Sequence, residues 1–243
     1  MKILILGGTG EARELAGRLV ELGHEVVTSL AGRTSTPQLP AGELRVGKFG
    51  GVPGLVGYLK ARGFERLVDA THPYAGLMST NAVAATQQTG VALVRYVRPA
   101  WLEPAGVHWT HVPDMAFAAA ALPSGASALV TTGHEGLDDI LVRDDCDLVV
   151  RLLEPPDQPL PRHATLVLGH PPYRLSDEIK LMEREEISHL VTKNSGGVQT
   201  SAKLEAAAQL GVAVIMIDRP ELPPAIETGS LEETLTALHL AAS

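Results

Sequence analysis

Residues 2–13 read Lys2-Ile3-Leu4-Ile5-Leu6-Gly7-Gly8-Thr9-Gly10-Glu11-Ala12-Arg13, and this stretch decides the fold. Ile3–Leu6 is a continuous aliphatic run, not an alternating one. Such a run suits a strand buried on both faces, as in a parallel sheet covered by helices. Beyond the glycines, Ala12, Leu15, Ala16, Leu19 and Leu22 recur at the three- and four-residue spacing of a helix with one apolar stripe. Gly23 suits the left-handed position after a helix end, and about His24–Leu30 reads as a second strand. Strand, glycine turn, helix, strand is a βαβ unit. In such a turn glycine lets backbone N–H groups approach a pyrophosphate, and the helix N-terminus favours the anion. The dinucleotide fingerprint is met only in part. Gly8-Thr9-Gly10 fills its first two glycine positions, but the third falls on Arg13, so a plain strand-to-helix turn is the competing reading.

The end of the second strand sharpens the choice of cofactor. An NAD-binding unit usually carries an acidic residue there for the ribose 2′-hydroxyl. This chain has Ser29-Leu30-Ala31-Gly32-Arg33 instead. A small residue followed by arginine suits the 2′-phosphate of NADP. The candidate cofactor set from these two segments is Gly7, Gly8, Thr9, Gly10, Glu11, Ser29, Ala31, Gly32 and Arg33.

Further along, Arg66–Ala70 reads as a strand that ends in Thr71-His72-Pro73-Tyr74-Ala75. A helix from about Leu77 to Thr89 follows, then strand Val91–Val97 and Arg98-Pro99-Ala100-Trp101. Polar residues at the C-terminal ends of strands sit where open α/β sheets bind ligands. The second half repeats the plan. Gly211-Val212-Ala213-Val214-Ile215 and Arg219-Pro220 echo Gly90-Val91-Ala92-Leu93-Val94 and Arg98-Pro99, and both Gly90/Gly211 and Pro99/Pro220 are 121 residues apart. Ala128–Glu135 likewise echoes the first strand and turn. The expected architecture is therefore α/β, with two Rossmann-like parallel-sheet lobes and a ligand cleft between them. Its expected boundaries are an NADP-binding lobe over 1–100, a bridge over 101–124 and a second lobe over 125–243. In that second lobe Lys193-Asn194-Ser195-Gly196-Gly197 forms a further anion-binding turn, Arg151 ends a strand beginning at Asp147, and Gly169–Arg174 brings an aromatic and a cation to another turn.

Composition excludes several function classes. The 243 residues carry a formal charge of −8, which gives no footprint for nucleic acid. One cysteine, Cys146, rules out a disulfide framework and any multi-cysteine metal site. No apolar run approaches the roughly 18 residues of a membrane span, and residues 3–6 are too short for a secretory leader. A cytoplasmic protein with no metal and no membrane partner is expected, and a monomer is allowed. A short-chain dehydrogenase would need Tyr-x-x-x-Lys. The residues four beyond Tyr58, Tyr74, Tyr96 and Tyr173 are Arg62, Met78, Ala100 and Asp177, so that class fits poorly.

The set Ile5–Arg13, Ser29–Arg33, Gly47-Lys48-Phe49-Gly50-Gly51, Asp69-Ala70-Thr71-His72-Pro73-Tyr74-Ala75, Arg98-Pro99-Ala100-Trp101 and Lys193–Gly197 resembles the precorrin-6A reductase family of cobalamin biosynthesis. The likeness runs from residue 3 to about 220. Family members usually carry Arg-Gly-Pro-Phe in the second lobe, where this chain has Gly169-His170-Pro171-Pro172-Tyr173. The resemblance implies NADPH-dependent reduction of one double bond of the precorrin-6A macrocycle to give precorrin-6B. It adds Gly50, Thr71 and His72 to the candidate cofactor set. It implies a polycarboxylate tetrapyrrole substrate, which a chain of charge −8 must hold through local cations. The candidate substrate set is Asp69, Arg98, Trp101, Arg151, Tyr173, Lys193, Asn194, Ser195, Gly196, Gly197 and Arg219. Proton-donor candidates are His72, Tyr74 and Lys193, with His72 weighted more towards ligand contact. A two-lobed NADP-binding redox sensor without catalysis and a nucleotide-free tetrapyrrole synthase are the alternatives.

Overall fold

The computed structural model describes residues 1–32 and 39–240. From the N-terminus it runs β1 (Lys2–Leu6), α1 (Gly10–Glu21), β2 (Glu25–Leu30), β3 (Glu43–Val46), α2 (Gly51–Arg62), β4 (Arg66–Asp69), α3 (Gly76–Thr89) and β5 (Ala92–Tyr96). It continues through β6 (Trp109–Val112), α4 (Met115–Ala121), β7 (Ser127–Val130), α5 (Leu137–Leu141), β8 (Asp147–Leu152), β9 (Ala164–Leu168), α6 (Leu175–Arg184), β10 (His189–Lys193), α7 (Ala202–Leu210) and β11 (Ala213–Ile217). It ends with β12 (Ile226–Thr228) and α8 (Leu231–Leu240). The strands form two six-stranded sheets, ordered β12-β5-β4-β1-β2-β3 and β6-β11-β10-β7-β8-β9, and every pairing is parallel.

In the first unit β1 is buried on both faces, which is why its sequence does not alternate. Ile3 and Ile5 pack with Leu15, Leu19 and Leu238 of α1 and α8. Leu4 and Leu6 pack the other way, with Leu55, Leu59, Ala82 and Ala85 of α2 and α3. In the second unit α6 and α7 supply Leu181, Met182, Ala206 and Ala207 against Leu129, Val149, Leu190 and Val214. Position for position, β7–β11 repeat the sheet order of β1–β5, so the repeat read in the sequence is a repeat of topology.

The unit boundaries differ from those expected. One compact unit comprises Met1–Pro99 and the returning segment from Pro220 onward, and the other comprises Ala100–Arg219. The segment 101–124 is therefore not a bridge, and the second unit does not run to the end of the chain. The cause is edge pairing. β6 closes the open edge of β11, with Val214 opposite Trp109. β12 does the same for β5, with Ile226 opposite Val94. Arg95 Nη1 secures β12 through Glu227 Oε1 at 2.7 Å, and Leu238 of α8 is fully buried. The second half of the chain thus returns its last strand and helix to the first half's sheet.

Burial holds the His189 imidazole at the start of β10 below its ordinary range. The folded state then binds fewer protons than the unfolded chain just below pH ~6.5. Stability is full above that pH and declines as pH falls through it. His24 shifts the same way, chiefly through burial, with the N-terminal ammonium and His239 adding to it and Glu65 opposing it. Denaturant midpoints measured across mildly acidic pH should therefore fall in the wild type, and His189→Gln should flatten the decline.

Candidate active site

The glycine turn is built as a phosphate-binding turn needs to be. Gly7 donates to the Ser29 carbonyl at 2.9 Å, which ties the turn to the end of β2. A Cβ at Gly7 would lie 2.8 Å from Thr28 Cγ2, so the backbone there packs too closely for any side chain. Gly8 has φ +116°, and a Cβ built on it would meet nothing within 4 Å. Its backbone therefore faces open space at the mouth of α1. Thr9 caps that helix. Its Oγ1 accepts from Ala12 N at 3.1 Å and donates to the Ala70 carbonyl at 2.8 Å, joining the turn to the end of β4. The uncapped N–H groups of the first turn and the helix dipole make this an anion site, so the residues present fit a dinucleotide pyrophosphate.

The counterpart in the second unit differs. There the loop after β7 is followed by α5, which has only five residues and no side-chain cap at Gly136. The two halves share a fold but not this site.

Beside the first turn Thr9, Glu11, Thr71, Pro73, Tyr96 and Arg98 line one recess. Arg98 Nη1 donates to both Glu11 carboxylate oxygens, at 3.2 and 3.0 Å. The two residues assigned to different ligands are therefore direct partners. Glu11 in the first turn of α1 favours the helix dipole but opposes a phosphate, and Arg98 offsets that charge.

Asp69 is placed differently from expectation. It is 1 % exposed and its contacts are internal. Oδ1 accepts from Thr71 N at 3.2 Å and from Thr71 Oγ1 at 2.7 Å, while Oδ2 lies 3.5 Å from Arg95 Nε. Asp69 thus holds the turn that carries Thr71, His72 and Tyr74, and these partners are all within the protein. His72 is exposed, and its Nδ1 accepts from Tyr74 N at 3.3 Å. The two rings sit 5.7 Å apart.

In the second unit the Lys193–Gly197 turn is braced by Trp101. Trp101 N donates to Asn194 Oδ1 at 2.8 Å, Asn194 Nδ2 donates to the Trp101 carbonyl at 3.1 Å, and Trp101 Nε1 donates to the Gly197 carbonyl at 2.9 Å. Arg219 Nε donates to the Asn194 carbonyl at 2.8 Å. Lys193 Nζ reaches Glu135 at 3.4 Å, and the Lys203 ammonium lies 5.3 Å from the Trp101 ring centre. These candidates are brought together, with Ser195 and Gly196 on the same turn. Arg151 and Tyr173 form a separate group. Arg151 is 7 % exposed, pairs with buried Glu178 and stacks 4.0 Å under the Tyr173 ring, whose hydroxyl donates to the Gly169 carbonyl. Arg151 is therefore spent on supporting the Gly169–Tyr173 loop, and a substrate carboxylate would have to displace Glu178 to reach it.

Of the other cofactor candidates, Ala31 and Gly32 are exposed at the end of β2, and Gly50 precedes α2 with φ +82°. Arg33 lies outside the described residues. Among the described residues no group of three or more His, Cys, Asp or Glu is arranged to hold a metal. No helix among them is long and apolar enough to cross a membrane. A cavity of about 520 Å³ at the N-terminal ends of β7–β9 is lined by Asp147, Arg162, Arg184 and Glu186. It lies at the end of the sheet opposite the polar turns, and with Glu185 its lining carries two arginines against three carboxylates.

A family model described as Precorrin-6x reductase CbiJ/CobK matches residues 2–239. The chain belongs to this family. It is 47% identical to a precorrin-6A reductase of Rhodococcus erythropolis over 229 residues, covering 93% of this chain and 92% of that one. It is 46% identical to one of Rhodobacter capsulatus, covering 91% and 89%. A solved structure titled CobK precorrin-6A reductase superposes with a TM-score of 0.94 at 43% identity, covering 100% of this chain and 98% of that chain. The precorrin-6x reductase family is one of oxidoreductases, and a nicotinamide cofactor suits the glycine turn of the first unit.

Proposed function

We propose that this chain reduces precorrin-6A to precorrin-6B with NADPH. One observation carries the cofactor half of the reading: the Gly7-Gly8 turn backed by the Thr9-capped N-terminus of α1, present in the first unit and absent in that form from the second. When bound, NADPH supplies the hydride. The chain's own residues do the rest. Backbone N–H groups from Gly8 to Glu11 hold the pyrophosphate. Ser29, Ala31, Gly32 and Arg33 take the adenosine end, and Gly50, Thr71 and His72 take the remainder of the nucleotide. In the second unit Lys193, Asn194, Ser195, Gly196, Gly197 and Arg219 offer polar groups to the carboxylates of the macrocycle. Trp101 and Tyr173 offer apolar surface to its face. A proton must reach the carbon beside the one reduced. His72, at the turn after β4, is one donor on this reading. Tyr74 and Lys193 are the other donors. We place the reaction in the cytoplasm.

Anaerobic incubation with precorrin-6A and NADPH tests the reading. One nucleotide should be oxidised per macrocycle, with a product heavier by two hydrogens. A protein that binds both compounds yet oxidises none would be a binding module, not a reductase. Arg98→Ala should weaken adenosine diphosphate binding by roughly tenfold, because the Glu11 carboxylate then faces the phosphates unneutralised. The loss should shrink at high salt. Titrations at two ionic strengths check this, and an affinity that is unchanged or improved would remove Arg98 from the site.

A further inference from the structure

We infer that Arg45 reads the 2′-phosphate of NADPH; the inference rests on the cofactor reading above. Leu6, Ser29 and Arg45 form one row across the sheet, since Leu6 pairs with Ser29 and Ser29 with Arg45. With strands about 4.8 Å apart, Arg45 sits roughly 10 Å along the sheet from the start of the glycine turn. That is the direction in which the adenosine ribose of a dinucleotide lies, since the residue ending the second strand reads its 2′ substituent.

The guanidinium is fixed before any ligand arrives. Nη1 donates to Ser29 Oγ at 3.1 Å and to the Gly47 carbonyl at 2.5 Å, and Nη2 donates to the Lys48 carbonyl at 3.0 Å. One face stacks on the Phe49 ring with 3.7 Å between guanidinium carbon and centroid. Gly47, with φ +117°, lets the loop turn its carbonyls back onto the fork.

What this guanidinium lacks is a counter-charge. Arg18, Arg62, Arg95, Arg98, Arg143, Arg151 and Arg184 each pair with a carboxylate, while Arg45, though held by three hydrogen bonds, is in no ion pair with a described residue. Among the described residues three of its five N–H groups are used, and all three acceptors are neutral. Ser29 Oγ accepts from Arg45, so its own proton is left to donate to a phosphate oxygen. A pre-organised cation beside a hydroxyl donor, at the strand end where an acid would select NAD, is matched to a phosphate dianion.

The test compares four ligands on one protein: NADPH, NADH, adenosine 2′,5′-bisphosphate and adenosine 5′-monophosphate, titrated by calorimetry. Wild type should prefer both 2′-phosphorylated ligands. Arg45→Ala should weaken these roughly ten- to a hundredfold while leaving NADH and adenosine 5′-monophosphate within about twofold. Arg45→Lys should recover part of the preference. If all four ligands weaken together, Arg45 only braces the loop and the inference fails. It fails equally if the preference survives Arg45→Ala and is lost only in Arg33→Ala. A wild type that binds neither dinucleotide would instead overturn the cofactor reading itself.

Discussion

Asp69→Ala is expected to destabilise the chain by about 3 kcal/mol, because it leaves a buried guanidinium short of its partner. Arg95 is 2 % exposed, and its Nε faces Asp69. Glu227 and the Pro223 carbonyl remain bound to its other nitrogens, which keeps the cost towards the lower end of the range for breaking a buried pair. The same substitution frees Thr71 from two hydrogen bonds and loosens the turn that carries His72 and Tyr74. Turnover should fall as well, but as a consequence of a disordered turn. Asp69→Asn keeps an acceptor for Thr71 and should cost less. Urea unfolding of the three proteins decides the point. A full-strength midpoint for Asp69→Ala, with activity lost, would return Asp69 to the role of a substrate contact.

Gly8→Ala should separate binding from folding in the opposite sense. At φ +116° an alanine is strained, which costs about 1–3 kcal/mol. The methyl meets no protein atom within 4 Å, so there is no clash to add. On the cofactor reading the pyrophosphate lies against this turn, so a methyl on Gly8 and the altered backbone would both disturb it. Dinucleotide affinity should therefore drop by at least roughly a hundredfold, since steric exclusion is added to the loss of N–H contacts. Calorimetric titration beside thermal melting reads both quantities. Unimpaired affinity in a folded Gly8→Ala protein would move the nucleotide away from this turn.

Much of this architecture was legible from residue pattern. The unbroken aliphatic run Ile3–Leu6 announced a strand covered on both faces, and Ile3/Ile5 and Leu4/Leu6 do face opposite helix layers. The offset shared by Gly90/Gly211 and Pro99/Pro220 announced the duplication, and β5 and β11 hold equivalent places in the two sheets. The edge strands were not legible. β3, β9 and β12 are three to five residues long and largely exposed, so neither length nor burial marks them in sequence. The return of β12 to β5 depends on a pairing between segments far apart in the chain, which local pattern does not encode.

The site divides along the same line. Gly7, Gly8 and Thr9 could be placed because glycine tolerance and helix capping are local. Asp69 was read at a strand end because that position is local, while its burial beside Arg95 depends on the neighbouring strand and could not be read there. Arg151 was rightly put towards the end of its strand, but its partners Glu178 and Tyr173 reach it from later elements that local pattern does not show. Arg45 drew no attention because β3, which carries it, is short and exposed.

The central claim is direct hydride delivery on this chain from a nicotinamide held at the first unit to the precorrin-6A macrocycle. A single-turnover reaction with NADPH deuterated at the transferring face of nicotinamide C4 tests it most directly, with the product weighed by mass spectrometry. The account predicts one deuterium in each molecule of reduced macrocycle. A reduced product carrying none, or no reduced product from folded protein with both ligands bound, would contradict it.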